Sequence, residues 1–177
     1  MSETWSHQLE SWHEFYLLIG SAGLTLTGLL FVVVSLAPRV VAEQHASGVR
    51  AFASPNAVYF TTALVASAVA LFPGMSAKGL GGIFCLGSIA MLGYLAHAKI
   101  HQQWRENQYS LLDWLWYVGL PFAAYMLLLA SGIGLLFQAT LSMQGAGVAF
   151  ILLLVIGIRN AWDIIIWVIQ RERNNGT

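Results

Sequence analysis

The stretch VAFILLLVIGIRNAWDIIIWVI, residues 148–169, is long and apolar enough to cross a membrane, yet polar residues interrupt it. A spanning helix needs about 20 mostly apolar residues, and this run meets that length. Arg159, Asn160 and Asp163 lie inside it. A charged side chain in the hydrocarbon core costs on the order of 3 kcal/mol on the insertion scale. We therefore expect this segment to turn these residues toward other protein or water, and the polar interior to be built around it.

The composition of the whole chain agrees with a membrane protein. Of 177 residues, 58% are hydrophobic and 9% are charged, whereas about 25% are charged in a typical soluble domain. So few charges cannot cover a soluble core, so the lipid bilayer is the expected solvent. The net charge is zero, which removes the electrostatic attraction that nucleic acid binding requires.

Four further apolar runs precede this stretch, and the connections between them are short. We expect one integral-membrane domain, residues 1–177, with an all-α, polytopic fold. Glycine, alanine and serine are frequent in the runs and allow helices to approach closely, which predicts a compact five-helix bundle. The predicted spans are 15–37, 57–72, 80–100, 114–137 and 148–169.

The distribution of basic residues predicts the orientation of these spans, because cytoplasmic loops carry an excess of lysine and arginine. Only Lys78 falls on the side of the N-terminus. The prediction is an outside N-terminus and a cytoplasmic C-terminus in a bacterial inner membrane, which a reporter fused at Thr177 would test. Met1 to Glu14 has no basic residue and does not resemble a cleavable signal peptide. The basic residues on the opposite side are Arg39, Arg50, Lys99, Arg105, Arg171 and Arg173.

Three short motifs have the spacing of helix starts. Ser11 and Glu14 have the spacing of a capping box, and Ser110 and Asp113 have a similar pattern. Ser54-Pro55 is typical of a cap followed by proline in the first turn. These predicted caps would give Glu14 and Asp113 structural roles rather than catalytic ones.

Arg159 and Asp163 are four residues apart and therefore share one helix face. They form either a structural pair that neutralises itself or the wall of a hydrated cavity or ion path. A different geometry would end the span near Ile158 and place residues 159–173 in the interface as an amphipathic helix. Residues 164–166 are all isoleucine and would make such a helix apolar on its polar side as well, so one long helix is preferred.

The predicted topology could place other polar residues at the same depth in the membrane as Arg159, Asn160 and Asp163. Asn56 opens the second span and His97 lies near the end of the third, both on the predicted inner side. Thr25 and Thr27 lie near the middle of the first span. Their hydroxyls could line a path, or they could bond to the carbonyls of the preceding turn.

Metal and enzyme chemistry have little support in the sequence. His97 and His101 have a spacing that can hold one metal ion, but no third ligand is identifiable and Lys99 would repel a cation, so solvated histidines are preferred. The single cysteine, Cys85, excludes a paired cysteine motif. No nucleophile elbow, zinc protease or nucleotide-binding motif is present. We predict no cofactor and no enzyme, and an intramembrane proton- or quinone-linked enzyme is the least supported class.

The leading hypothesis is a homo-oligomeric ion channel or small-solute transporter. Its polar site would lie in the inner half of the fifth span. Five helices leave little room for a pore, so an oligomer axis is the natural place for one. The alternative is a non-catalytic adaptor or regulator that binds another membrane protein. The expected partners are the lipid bilayer, further copies of the chain and, in the alternative, that second protein, with no nucleic acid.

Overall fold

The computed structural model of the protein describes residues 3–36, 47–102 and 115–175, and in this part of the chain all regular structure is helical. The described residues form five α-helices, as the apolar runs predict. A π-helical turn, Leu115–Gly119, leads directly into the fourth helix. The helices are α1 Glu3–Leu36, α2 Ser47–Ala70, α3 Ala77–Gln102, α4 Leu120–Leu136 and α5 Ser142–Asn175.

Four of the helices are long and apolar enough to cross a membrane. Helix α2 is long, but its apolar stretch Pro55–Ala70 is shorter than theirs. Helices α1 and α5 have 34 residues each, about 51 Å at a rise of 1.5 Å per residue. Both therefore exceed the hydrocarbon thickness of about 30 Å.

Two of the predicted helix starts are wrong. Helix α1 begins at Glu3, so Ser11 lies inside it, and its hydroxyl donates to the carbonyl of Gln8 at 2.8 Å instead of capping. Helix α2 begins at Ser47, so Pro55 lies within it. In both cases the helix continues upstream because polar residues next to a membrane can remain helical in water. The predicted cap at Ser110 and Asp113 lies outside the described residues.

The continuity of the fifth helix is confirmed. Helix α5 passes from Ser142 to Asn175 without a break, which favours one long helix over a separate interfacial helix after Ile158. The run of isoleucines after Asp163 extends the helix rather than starting a separate interfacial one.

The helices alternate in direction. Phe15 and Trp12 of α1 lie against Gly147 of α5, and farther along both helices Leu30 and Ile165 line one cleft, so α1 and α5 are parallel. Along α2 the order is reversed: Gly23 of α1 faces the carbonyl of Phe60, and Gly20 faces Ser67. Helix α2 is therefore antiparallel to both α1 and α5.

The end of the bundle where α1 begins is closed by hydrogen bonds. We call it the N-terminal end. The indole of Trp5 donates to the carbonyl of Met75 at 3.0 Å, and the amide of Gln8 donates to the carbonyl of Thr140 at 3.3 Å. These bonds join the first turns of α1 to the 71–76 and 137–141 connections. The opposite end, where α5 finishes, is called the C-terminal end.

Helix α5 lies at the centre of the core. Phe150 contacts Tyr16 of α1 and Phe84 of α3 edge to face, with ring centroids at 6.0 and 5.7 Å. Such aromatic pairs contribute about 0.5–1.5 kcal/mol beyond area burial. Tyr59 of α2 packs on Tyr125 of α4, whose hydroxyl lies 3.1 Å from that of Thr62. The core therefore joins all five helices through α5 and its neighbours.

Candidate functional site

A cluster of four side chains lies toward the C-terminal end of the bundle. The Tyr117 hydroxyl donates to Oδ2 of Asp163 at 3.2 Å, and the Arg159 guanidinium carbon lies 4.5 Å from the centroid of the Trp116 ring. Nε of Arg159 is 3.9 Å from Oδ2 of Asp163. We call these four residues the Arg159 cluster, and it ties α5 to the π-helical turn before α4.

The exposure of the cluster decides how strong its ion pair is. The side chains of Arg159 and Asp163 are 44% and 38% exposed. At that exposure, and at a separation close to the limit for an ion pair, the pair itself adds little, since exposed pairs are worth about 0–1 kcal/mol. The aromatic face adds about 0.5–2 kcal/mol for a cation placed over it. Asp163 is therefore held by Tyr117 at least as firmly as by Arg159.

Two buried asparagines form a second polar feature, which we call the asparagine layer. Asn56 of α2 is 0% exposed and Asn160 of α5 is 4% exposed. Within the described part of the chain, neither Oδ1 nor Nδ2 of Asn56 has a hydrogen-bond partner, and Oδ1 of Asn160 has none. An unsatisfied buried polar group costs about 1–3 kcal/mol, so this layer needs an explanation.

The helix register brings the two asparagines to one level. Phe60 of α2 packs against Gly157 of α5. Asn56 precedes Phe60 by one turn and Asn160 follows Gly157 by nearly one turn. Because the two helices are antiparallel, both asparagines lie on the same side of this contact, about 4.5–6 Å from it at 1.5 Å per residue.

The two threonines predicted for the site form hydrogen bonds within their own helix. The Thr25 and Thr27 hydroxyls donate to the carbonyls of Ser21 and Gly23, each at 2.8 Å, within α1. His97 is exposed near the end of α3, which packs mainly on α4. The His101 side chain lies outside the described residues. Among the described residues, no group of three potential ligands could hold a metal ion.

An apolar cleft of about 170 Å³ lies between α1, α2 and α5. Its wall has no polar surface, so it does not extend a polar path from the asparagine layer. Its lining residues are Leu26, Leu29, Leu30, Phe60, Ile158, Ala161, Trp162 and Ile165.

Sequence reasoning missed the roles of Trp116 and Tyr117 in this cluster. The available signal was topological: the start of the fourth span and the end of the fifth must lie at the same end of the bundle. It also missed the π-helical turn that carries both residues. Such turns occur frequently at functional sites.

Comparison with known proteins adds no relative. No family model, curated protein or solved structure matches this chain. The function must therefore be argued from the site itself.

Proposed function

We propose that this protein is a five-span, homo-oligomeric protein of a bacterial inner membrane that moves an ion or a small polar solute. The observation that carries the proposal is the asparagine layer, two buried carboxamides with unsatisfied polar atoms. The other buried polar side chains of the described residues are serines, two of which, Ser67 and Ser88, also have unsatisfied hydroxyls. Structural packing does not need such groups, because apolar residues of similar size fill the same space without an unpaired atom. A polar ligand that passes between the helices gives them partners.

The Arg159 cluster supports the same proposal. Asp163 lies about 4.5 Å beyond Asn160 along α5, toward the C-terminal end, at 1.5 Å per residue. Arg159 lies at nearly the same level as Asn160, and both charged side chains are partly exposed. Asp163 and Tyr117 would offer an acceptor and a hydroxyl to a solute entering or leaving there. The paired charges keep this entrance close to neutral.

The proposed topology has the N-terminus outside and the C-terminus in the cytoplasm. The alternation of helix directions and the basic residues on one side support it. Helix α2 has 24 residues, about 36 Å at 1.5 Å per residue, which is enough to cross with its polar first turns at the boundary. The asparagine layer then lies in the inner half.

Flux through reconstituted protein tests this function. We expect vesicles that contain the protein to release K⁺, or to take up urea as followed by light scattering, faster than protein-free vesicles. Asp163→Asn removes a charged hydrogen-bond acceptor, which is worth about 1.5–3 kcal/mol, so flux should fall by about 10- to 100-fold. Glu14→Gln, which changes an exposed carboxylate on α1, is the control and should keep wild-type flux. The proposal would be contradicted if the K⁺ flux and the urea flux of vesicles with wild-type protein both equalled those of protein-free vesicles.

A second candidate function, a membrane adaptor, is favoured by the outer face of α3. A Cβ added at Gly82, Gly87 or Gly93 would meet no atom within 4 Å. Apart from Gly28 of α1, the described glycines on other helices face neighbours within the chain. The three open positions on α3 leave room for a helix from outside the chain.

Enlarging this face distinguishes the adaptor from the transporter. If the protein is an adaptor, Gly87→Leu should release a partner that co-purifies with the wild type, because the added side chain fills the space for the partner helix. Gly28→Leu changes an equally open position on α1 and should retain the partner. Retention of the partner by Gly87→Leu would exclude α3 as its binding face.

A further inference from the structure

The asparagine layer limits which ligand it can bind. Asn56 presents one unpartnered acceptor, Oδ1, and one unpartnered donor, Nδ2. Asn160 presents a second unpartnered acceptor, Oδ1. The unsatisfied atoms of the layer therefore include both types of hydrogen-bonding group.

A charged ligand satisfies only part of this set. A bare cation would coordinate the two Oδ1 atoms but would repel the Nδ2 hydrogens, which can only donate. An anion would accept from Nδ2 and be repelled by both oxygens.

One water molecule satisfies the three atoms together. Its two hydrogens can be donated to Oδ1 of Asn56 and Oδ1 of Asn160, while its oxygen accepts from Nδ2 of Asn56. Three hydrogen bonds are the usual number for a buried water. A hydroxyl or an amide of an uncharged solute can make a similar set of bonds.

Helix α4 reaches the same level. Tyr117 contacts Asp163, and Gly145 of α5 faces Ser131 of α4, so these two helices are antiparallel. Asn160 therefore lies across from residues near Pro121, which is fully buried. Proline has no N–H to donate. The π-helical turn before it thus has one donor fewer for its own carbonyls, which adds acceptor capacity beside the layer.

We propose that Asn56 and Asn160 form a binding site between α2 and α5 for an uncharged small molecule that both donates and accepts hydrogen bonds, water being the smallest. Together with the proposed function, on which this last step rests, the site selects uncharged polar solutes over ions. The binding site itself does not require transport.

Hydration of the Asn56 amide tests the site. Wild-type protein labelled with ¹⁵N at asparagine and glutamine is placed in lipid nanodiscs, and magnetisation transfer from water to the side-chain amides is measured by NMR. We expect transfer to Asn56 despite its complete burial, and we expect Asn56→Leu to remove this signal and so assign it. The exposed Gln138 amide is the positive control. Absence of transfer to Asn56 in the wild type would overturn the proposal.

Cations test the selectivity of the layer. We expect the Asn56 and Asn160 signals to be unchanged on addition of KCl or of guanidinium chloride at non-denaturing concentration. A saturable shift of either signal with either salt would overturn the uncharged-ligand assignment. Water transfer to Asn56 without flux in vesicles would reject the transport function and leave the binding site in place. Flux without water transfer would reject the binding site and leave the transport function in place.

Discussion

Gly81→Ala is expected to destabilise the bundle strongly, while Gly82→Ala, one residue later, is not. A Cβ at position 81 would lie 2.7 Å from the carbonyl oxygen of Gly132 and 3.0 Å from Cβ of Leu135. The oxygen belongs to the backbone of α4 and cannot rotate away. Helices α3 and α4 must then separate, and overpacking of this kind costs about 1–3 kcal/mol.

The neighbouring glycine is the matched control for this prediction. A Cβ at position 82 would meet nothing within 4 Å, and alanine in a helix interior is favoured over glycine by about 0.5–1 kcal/mol. The two variants should therefore change the thermal midpoint in detergent in opposite directions. Gly132→Ala should resemble Gly81→Ala, because its Cβ would lie 2.9 Å from the Gly81 carbonyl oxygen. Equal midpoints for Gly81→Ala and Gly82→Ala would contradict the close approach of α3 and α4.

Asn56→Asp is expected to reduce the yield and stability of the folded protein, whereas Asn56→Leu should leave them close to wild type. The position is completely buried. Aspartate has the shape of asparagine but introduces a charge without a described partner, at a cost on the order of 3 kcal/mol in a spanning helix. Leucine removes the unsatisfied donor and acceptor and keeps a similar volume, which is often neutral.

Yield and thermal midpoint, measured in the same detergent, check this pair of variants. Thr25→Asp is a useful comparison because Thr25 is exposed near the middle of the first span, so a carboxylate there has a similar insertion cost but replaces no core contact. We expect the thermal midpoint to fall less for Thr25→Asp than for Asn56→Asp. An Asn56→Asp protein as stable as Asn56→Leu would mean that the layer is open to water, not enclosed by protein.

The number and order of the helices could be predicted from the sequence because an apolar run of spanning length has one stable form in lipid. The backbone must satisfy its own hydrogen bonds there, which selects the helix. The starts of α1 and α2 could not be predicted in this way. Ser11 and Pro55 are typical of helix starts, but both lie inside helices that continue upstream through polar residues.

The candidate site was predicted only in part. Arg159, Asn160 and Asp163 stand out because their side chains are costly in lipid. The pairing of Asn160 with Asn56 depends on the register of α2 against α5, which the Phe60–Gly157 contact sets. The partnership of Asp163 with Tyr117 depends on the direction of α4. Neither arrangement can be predicted from the sequence of one helix, because each depends on how two helices pack.

The sequence by itself determined that this chain is helical, that its helices are apolar and that the fifth carries the polar residues, since these follow from the cost of placing peptide groups and charges in hydrocarbon. Only the tertiary structure decided which glycines permit close approach, that Trp116 and Tyr117 hold the Arg159 cluster, and that two asparagines are buried at one level without partners. The physical reason is that solvent preference acts on each residue separately, whereas register and burial arise from contacts between residues far apart in the chain.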